Sequence, residues 1–144
     1  CMVKWPNDVW LEERKLAGIL IEARPPDWAV IGVGLNLAIE PHEFPADLRW
    51  PAVSLGGEVA PGRMRAALDA ALSDWVEAPQ ERVLAEFRRR DALVGREIGW
   101  EGGPEEGGRS GVAAGVDERG NLLVRTGGGE TVALGSGEVS LRLG

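Results

Sequence analysis

Residues 4–22 constrain this chain more tightly than any other stretch. Two apolar runs, Val9-Trp10-Leu11 and Leu16 to Ile21, flank a polar break, and Lys4-Trp5-Pro6-Asn7-Asp8 precedes both. Pro6 fixes its own φ and biases Trp5 toward extended backbone, so Lys4-Trp5 reads as a strand end. Asn7 and Asp8 favour a turn, because their short side chains bond back to nearby backbone. Val9 then opens a second strand, Glu12-Glu13-Arg14 is the connection, and Lys15 opens a third. Such a hairpin gathers Lys4, Asn7, Asp8 and Lys15 near one end of a sheet, where an anion could sit. An ordinary hairpin with solvated lysines satisfies the same local pattern.

Gly18 to Ala23 is a nearly continuous apolar strand, the pattern of a sheet interior. Arg24-Pro25-Pro26-Asp27 is a turn, and residues 28–37 form another apolar strand containing Gly32 and Gly34. A Gly-x-Gly pair invites a dinucleotide-fold reading. The third glycine and the following helix are both missing, so that reading is rejected. Glycines inside a strand instead let a ligand or a neighbouring backbone approach closely.

Residues 38–62 carry four prolines and no helical pattern; long segments of this kind are functional lids or disordered. His42, the only histidine, lies here with no second His or Cys nearby, so no metal site is assigned. Arg63 to Val76 places Met64, Ala67, Leu68, Ala71, Leu72, Trp75 and Val76 on one helical face. A second helix runs from Gln80 to Leu93 with Val83, Leu84 and Phe87 inward, and Arg88-Arg89-Arg90 reads as a solvated face. Both helices are expected to pack on the sheet. From Val94 the pattern changes to short strands at close spacing, with a glycine-rich acidic turn over Gly102 to Gly108, the signature of a small β-barrel.

Length and composition narrow the class. The 144 residues hold one domain, or a domain plus a small module. A net charge of −7 argues against nucleic-acid binding by this fragment, since phosphate neutralisation needs a basic face. The single cysteine, Cys1, excludes an internal disulfide. No apolar run approaches the roughly 20 residues of a membrane span and no signal peptide is recognisable, so no membrane is expected and the default location is cytoplasmic.

Three pieces in order, Lys4-Trp5-Pro6-Asn7-Asp8, Lys15-Leu16-Ala17-Gly18-Ile19-Leu20-Ile21-Glu22 and Gly32-Val33-Gly34-Leu35-Asn36-Leu37, closely resemble biotin–protein ligases. A fourth, Gly111 to Val124 followed by Gly137-Glu138-Val139-Ser140-Leu141-Arg142, resembles their C-terminal SH3-like module. The resemblance implies an α+β fold: part of a mixed β-sheet with packed helices, of the class II aminoacyl-tRNA synthetase and biotin ligase kind, followed by a small SH3-like β-barrel. It assigns residues 1–93 to the C-terminal part of the catalytic domain and residues 94–144 to the barrel. The chain begins without Met, inside a strand, and is expected to be a piece of a longer polypeptide. Nothing in it matches the family's Gly/Arg-rich loop over biotin.

The implied reaction joins biotin to ATP as biotinyl-5′-AMP and then moves biotin to a lysine of a biotin carboxyl carrier protein domain. Lys15 matches the lysine that contacts the biotin carboxyl and the adenylate phosphate. Asp8 is the carboxylate for the incoming amine, or the cap of its own turn. Lys4 would face the ATP phosphates, Asn7 would order the turn, and the backbone at Gly18 would lie against biotin. Trp5 and Gly34 join the ligand-binding set, and Asn36 contacts phosphate or, equally on local sequence, is a turn amide. Trp50 either closes over adenine or plugs the edge of the core. Arg142 and Glu138 match positions near the domain interface. Mg²⁺ is expected to arrive with ATP, held by phosphate oxygens and water. A homodimer is left open. So are two alternatives, a lipoate or octanoate ligase and a biotin-sensing regulator whose DNA-binding part lies upstream.

Overall fold

The structure, a computed structural model, describes residues 1–57, 59–101, 109–136 and 140–143. Along the chain run β1 (Met2–Lys4), β2 (Asp8–Leu11), β3 (Arg14–Arg24), β4 (Trp28–Leu35), a 3-10 turn (Pro41–Glu43), α1 (Pro61–Val76) and α2 (Gln80–Arg89). Five further strands follow: β5 (Glu97–Glu101), β6 (Arg109–Val116), β7 (Leu122–Thr126), β8 (Thr131–Leu134) and β9 (Ser140–Leu143). This is the expected α+β fold, and it divides into two compact units, Cys1–Pro79 and Gln80–Gly144.

The first unit holds an antiparallel sheet in the order β1-β2-β3-β4. β2 pairs with β3 only as far as Asp8 opposite Gly18, whereas β4 accompanies β3 out to Arg24 opposite Trp28. Beyond Gly18 the sheet is therefore a two-stranded ribbon. Leu20, Ile21 and Val30 are 64%, 60% and 57% exposed. This corrects the sheet-interior expectation for Gly18 to Ala23: an apolar run shows that residues avoid water, not which element covers them.

Two local irregularities shape the hairpin. The β2–β3 turn has only Glu12 and Glu13 at its tip, both at positive φ, 49° and 61°. That geometry normally selects Asn-Gly, because a Cβ is crowded there. Opposite the Val9–Trp10 step β3 carries an extra residue, so Val9 faces Ala17 while Trp10 faces Lys15. The bulge breaks the alternation of side chains along β3.

α1 starts on Pro61, whose missing N–H is harmless in a first turn. Its Met64, Leu68 and Leu72 face Ile31, Val33 and Leu35 of β4 across a gap of about 330 Å³. Ala67, Ala71 and Val76, expected on the same inward face, are exposed. Between β4 and α1, residues Pro51 to Val53 lie along the start of β3. The Lys15 N–H donates to the Pro51 carbonyl at 2.7 Å and the Val53 N–H to the Lys15 carbonyl at 2.9 Å.

The second unit is a five-stranded antiparallel sheet in the order β8-β7-β6-β5-β9, the short strands of the expected SH3-like module. Leu93, Ile98, Trp100, Leu122 and Val124 are fully buried and form its core. α2 belongs with it: Arg88 donates to the Val116 carbonyl at 3.2 Å, and the Gln80 amide donates to the Glu118 carbonyl. The compact units thus part at Pro79, ahead of the change in pattern at Val94, since strand composition marks where strands begin and not where packing divides. Leu84 and Phe87 are half-buried, while Val83 is 42% exposed. Arg89 and Arg90 both bind Glu86. Gly102 to Gly108 and Glu138 lie outside the described residues.

Candidate functional site

Lys4, Asp8, Gly18 and Gly34 stand directly opposite one another on four successive strands. Cross-strand partners project to the same face, so this row crosses the whole sheet on one side. Lys15 would fall on the other face in a regular strand, being three residues from Gly18. The bulge brings it back, and its Nζ lies 2.7 Å from Asp8 Oδ1. Lys4 Nζ lies 3.6 Å from Asp8 Oδ2. Each carboxylate oxygen thus meets one ammonium. The side chains of Lys4 and Asp8 are only 6% and 8% exposed, but that of Lys15 is 39% exposed. The cationic row opens to water at Lys15.

Gly18 makes this arrangement possible. A Cβ there would lie 3.3 Å from Lys15 Nζ, 3.4 Å from its Cε and 3.7 Å from Asp8 Oδ1. At Gly34 a Cβ would meet nothing nearer than the Gly18 carbonyl at 3.9 Å. The two glycines leave a floor without side chains beside the Lys15 ammonium, as glycine in a strand permits.

Lys4, a candidate phosphate ligand by sequence, buries its ammonium behind Asp8. It donates to the Trp5 carbonyl at 3.4 Å and lies 5.0 Å from the Trp50 ring centroid and 5.9 Å from that of Trp10. The rings of Trp10 and Trp50 are 5.8 Å apart, and the Arg49 guanidinium covers Trp50 at 5.5 Å. Burial pulls the Lys4 ammonium below its ordinary pKa, with Asp8 opposing. The Trp10 indole N–H is buried without an acceptor among the described residues.

The other candidates take up structural positions around this row. The Asn7 amide donates to the Ile19 carbonyl at 2.9 Å, and the Ile19 N–H returns to the Asn7 carbonyl at 2.8 Å, fixing the turn on β3. Asn36 Nδ2 donates to the Lys15 carbonyl at 3.4 Å and the Val53 carbonyl at 3.1 Å, holding residues 51–53 to β3. Trp5 is buried, and Arg142 lies on β9 opposite Gly99. His42 is exposed. Nothing in the sequence marks Trp10 or Arg49 as part of the surroundings of Lys4, and the residue spacing carries no signal that the chain returns Trp50 to Lys4. A separate cleft of about 750 Å³ is lined by Arg14 and by residues that include Ile39, Phe44, Leu48, Pro51 and Val53, without Lys4, Asp8, Lys15 or Trp50. Among the described residues no cluster of three His, Cys, Asp or Glu side chains is arranged to hold a metal.

Residues 1–36 match the biotin/lipoate A/B protein ligase family, and residues 105–142 match the biotin protein ligase C-terminal domain. The biotin–[acetyl-CoA-carboxylase] ligase of Mycobacterium tuberculosis is 37% identical over 147 residues, covering 95% of this chain and 52% of the relative. The apo biotin protein ligase of Aquifex aeolicus superposes with a TM-score of 0.82 at 26% identity, over 99% of this chain and 65% of that one. Both matched segments and the relatives point the same way: the chain resembles biotin protein ligases along nearly its whole length. The bifunctional ligase/repressor of Escherichia coli is 32% identical, over 97% of this chain and 46% of the relative. The Aquifex aeolicus ligase in complex with biotin and ATP matches with a TM-score of 0.75 at 26% identity, over 99% of this chain and 62% of that one. The chain spans about half the length of the curated relatives it matches.

Proposed function

We propose that the protein is an ATP-dependent biotin–protein ligase that forms biotinyl-5′-AMP and then transfers biotin to a lysine of a biotin carboxyl carrier domain. The observation that carries this reading is the half-open Lys15 ammonium, held on Asp8 beside the side-chain-free floor of Gly18 and Gly34. The relatives named as biotin ligases, and the neighbour with biotin and ATP bound, support the substrate class.

In the first step a biotin carboxylate oxygen attacks the α-phosphorus, and the bond to pyrophosphate breaks. Two anions approach each other, and Lys15 supplies a fixed point charge where negative charge develops. In the second step the acceptor amine attacks the acyl carbon and AMP leaves with the bonding pair. Asp8 orients that amine and takes its proton. Asn7 and Asn36 serve by fixing backbone, the first at the turn and the second at residues 51–53. Trp5 and Arg142 are assigned to the binding set by the family motif alone. Mg²⁺ would arrive with the nucleotide, held largely by phosphate oxygens and water, and no step is assigned to it. No helix among the described residues is long and apolar enough to cross a membrane, and we place the reaction in the cytoplasm.

The test is ATP–pyrophosphate exchange by the full-length protein. Exchange that requires biotin is expected. Exchange driven by lipoate or octanoate in place of biotin would overturn the assignment.

A further inference from the structure

We infer that Lys4 is a positioning residue: caged between Trp10 and Trp50, its ammonium holds the Asp8 carboxylate in register with Lys15 and ties it to the segment carrying Trp50. The inference rests on the reading in which Asp8 handles the acceptor amine.

The geometry separates the two lysines, the only ones among the 144 residues. Lys15 is half-open, whereas the Lys4 side chain is 6% exposed and its ammonium is already engaged by Asp8 Oδ2 and the Trp5 carbonyl, between two indoles. A dry ammonium in such a setting persists only where carboxylate, carbonyl and ring faces replace its water. Its free directions are walled by aromatic rings, so it is badly placed to receive phosphate oxygens. It is well placed to fix Asp8, which spans the two lysines with one oxygen on each.

Trp50 gives the arrangement its second function. Residues 51–53 are bonded to the Lys15 backbone, and the neighbouring Trp50 ring lies on the Lys4 ammonium. One segment therefore touches both partners of Asp8, one through its main chain and the other through its ring. Displacing that segment shifts the two ammonium groups relative to the carboxylate between them.

The experiment uses the full-length protein and the variants Lys4→Met, Asp8→Asn and their double. Transfer from preformed biotinyl-5′-AMP to an acceptor domain is measured as rate and acceptor KM. Lys4→Met is expected to slow transfer about tenfold with KM within about twofold, and the double variant to be no slower than Asp8→Asn alone, since both act through one carboxylate. Transfer by Lys4→Met within about twofold of wild type overturns the inference, as do losses that multiply in the double variant. Proton–nitrogen spectra of the lysine ammonium groups give a readout that survives poor folding of Lys4→Met or inactivity of the wild type. Wild-type Lys4 is expected to resonate upfield of exposed lysines and to move in Trp50→Leu; a Lys4 signal among the exposed lysines contradicts the cage. Absence of biotin-dependent exchange in the wild type would count against the ligase reading and leave the cage to the spectra.

Discussion

Lys15 Nζ lies 2.7 Å from Asp8 Oδ1, although Asp8 opposes Gly18 in the ladder and Lys15 opposes Trp10. The contact is diagonal, and it exists because a bulge turns Lys15 onto the face of Asp8 and because Gly18 leaves the intervening space empty. Adding a Cβ at Gly18 would press on the end of the lysine chain, 3.3 Å from Nζ. That end is flexible, so it moves aside at little structural cost. Gly18→Ala is expected to keep its unfolding temperature within a few degrees of wild type while losing about tenfold in biotin-dependent pyrophosphate exchange. Calorimetry and the exchange assay on the same preparation check both halves.

The β2–β3 turn stores strain at Glu12 and Glu13, both at positive φ. Left-handed backbone costs an ordinary L-residue roughly 1–2 kcal/mol, and Asn-Gly suits this turn far better. The double substitution Glu12→Asn with Glu13→Gly is expected to stabilise the protein by about 1 kcal/mol after the added backbone entropy of glycine. It also removes the exposed Glu12–Arg14 pair, which contributes little. Urea unfolding midpoints with an unchanged slope would establish the effect.

Much of this architecture is legible in the residues themselves. Pro6-Asn7-Asp8 marks its turn, and the spacing from Met64 to Leu72 marks the face of α1. Asp117-Glu118-Arg119-Gly120 lies between β6 and β7, where the Asp117 carboxylate accepts from the Arg119 and Asn121 N–H groups. The bulge at Leu16 is not legible, because an extra residue leaves no mark on an apolar run. Nor is the meeting of Trp50 with Lys4, which depends on residues 51–53 docking along β3. α2 shows a third limit: its periodicity identifies a helix but not the unit it packs in. The motif marks both candidate lysines alike, and only the fold separates the half-open Lys15 from the buried Lys4.

In the second unit the core depends on a few fully buried side chains. Leu122 is 0% exposed, so Leu122→Ala is expected to cost about 2–5 kcal/mol through lost burial and the cavity left behind. Gly111→Ala should cost about 1–3 kcal/mol for the opposite reason, overpacking. Its Cβ would lie 2.5 Å from the Arg125 carbonyl oxygen and 2.8 Å from Val124 Cγ1. Denaturant unfolding of both variants tests the pair.

Two carboxyls of the second unit give stability opposite pH dependences. Burial holds Asp91 above its ordinary value of 3.8, against the pull of the Leu93 and Val94 N–H groups. Its favourable contribution is present below pH 3.8 and is lost as pH rises through the raised folded value. Glu86 is held at about 2 instead of 4.5, first by the Arg89 hydrogen bond and also by Arg90. Its contribution is present above pH 4.5 and is lost as pH falls through about 2. Relative to wild type, Asp91→Asn should gain stability as pH climbs from 3.8, and the deficit of Glu86→Gln should shrink as pH drops from 4.5. Urea midpoints across an acid titration read both trends.

The two half-reactions of Lys15→Ala and Asp8→Asn, measured side by side in the full-length protein, test the site assignment most directly. Lys15→Ala is expected to lose on the order of 10²–10³ in biotin-dependent pyrophosphate exchange, the scale of removing one electrostatic donor. Asp8→Asn should lose more in transfer from preformed biotinyl-5′-AMP than in exchange. Wild-type exchange in Lys15→Ala, or equal losses in both half-reactions for Asp8→Asn, would contradict the roles assigned to this pair.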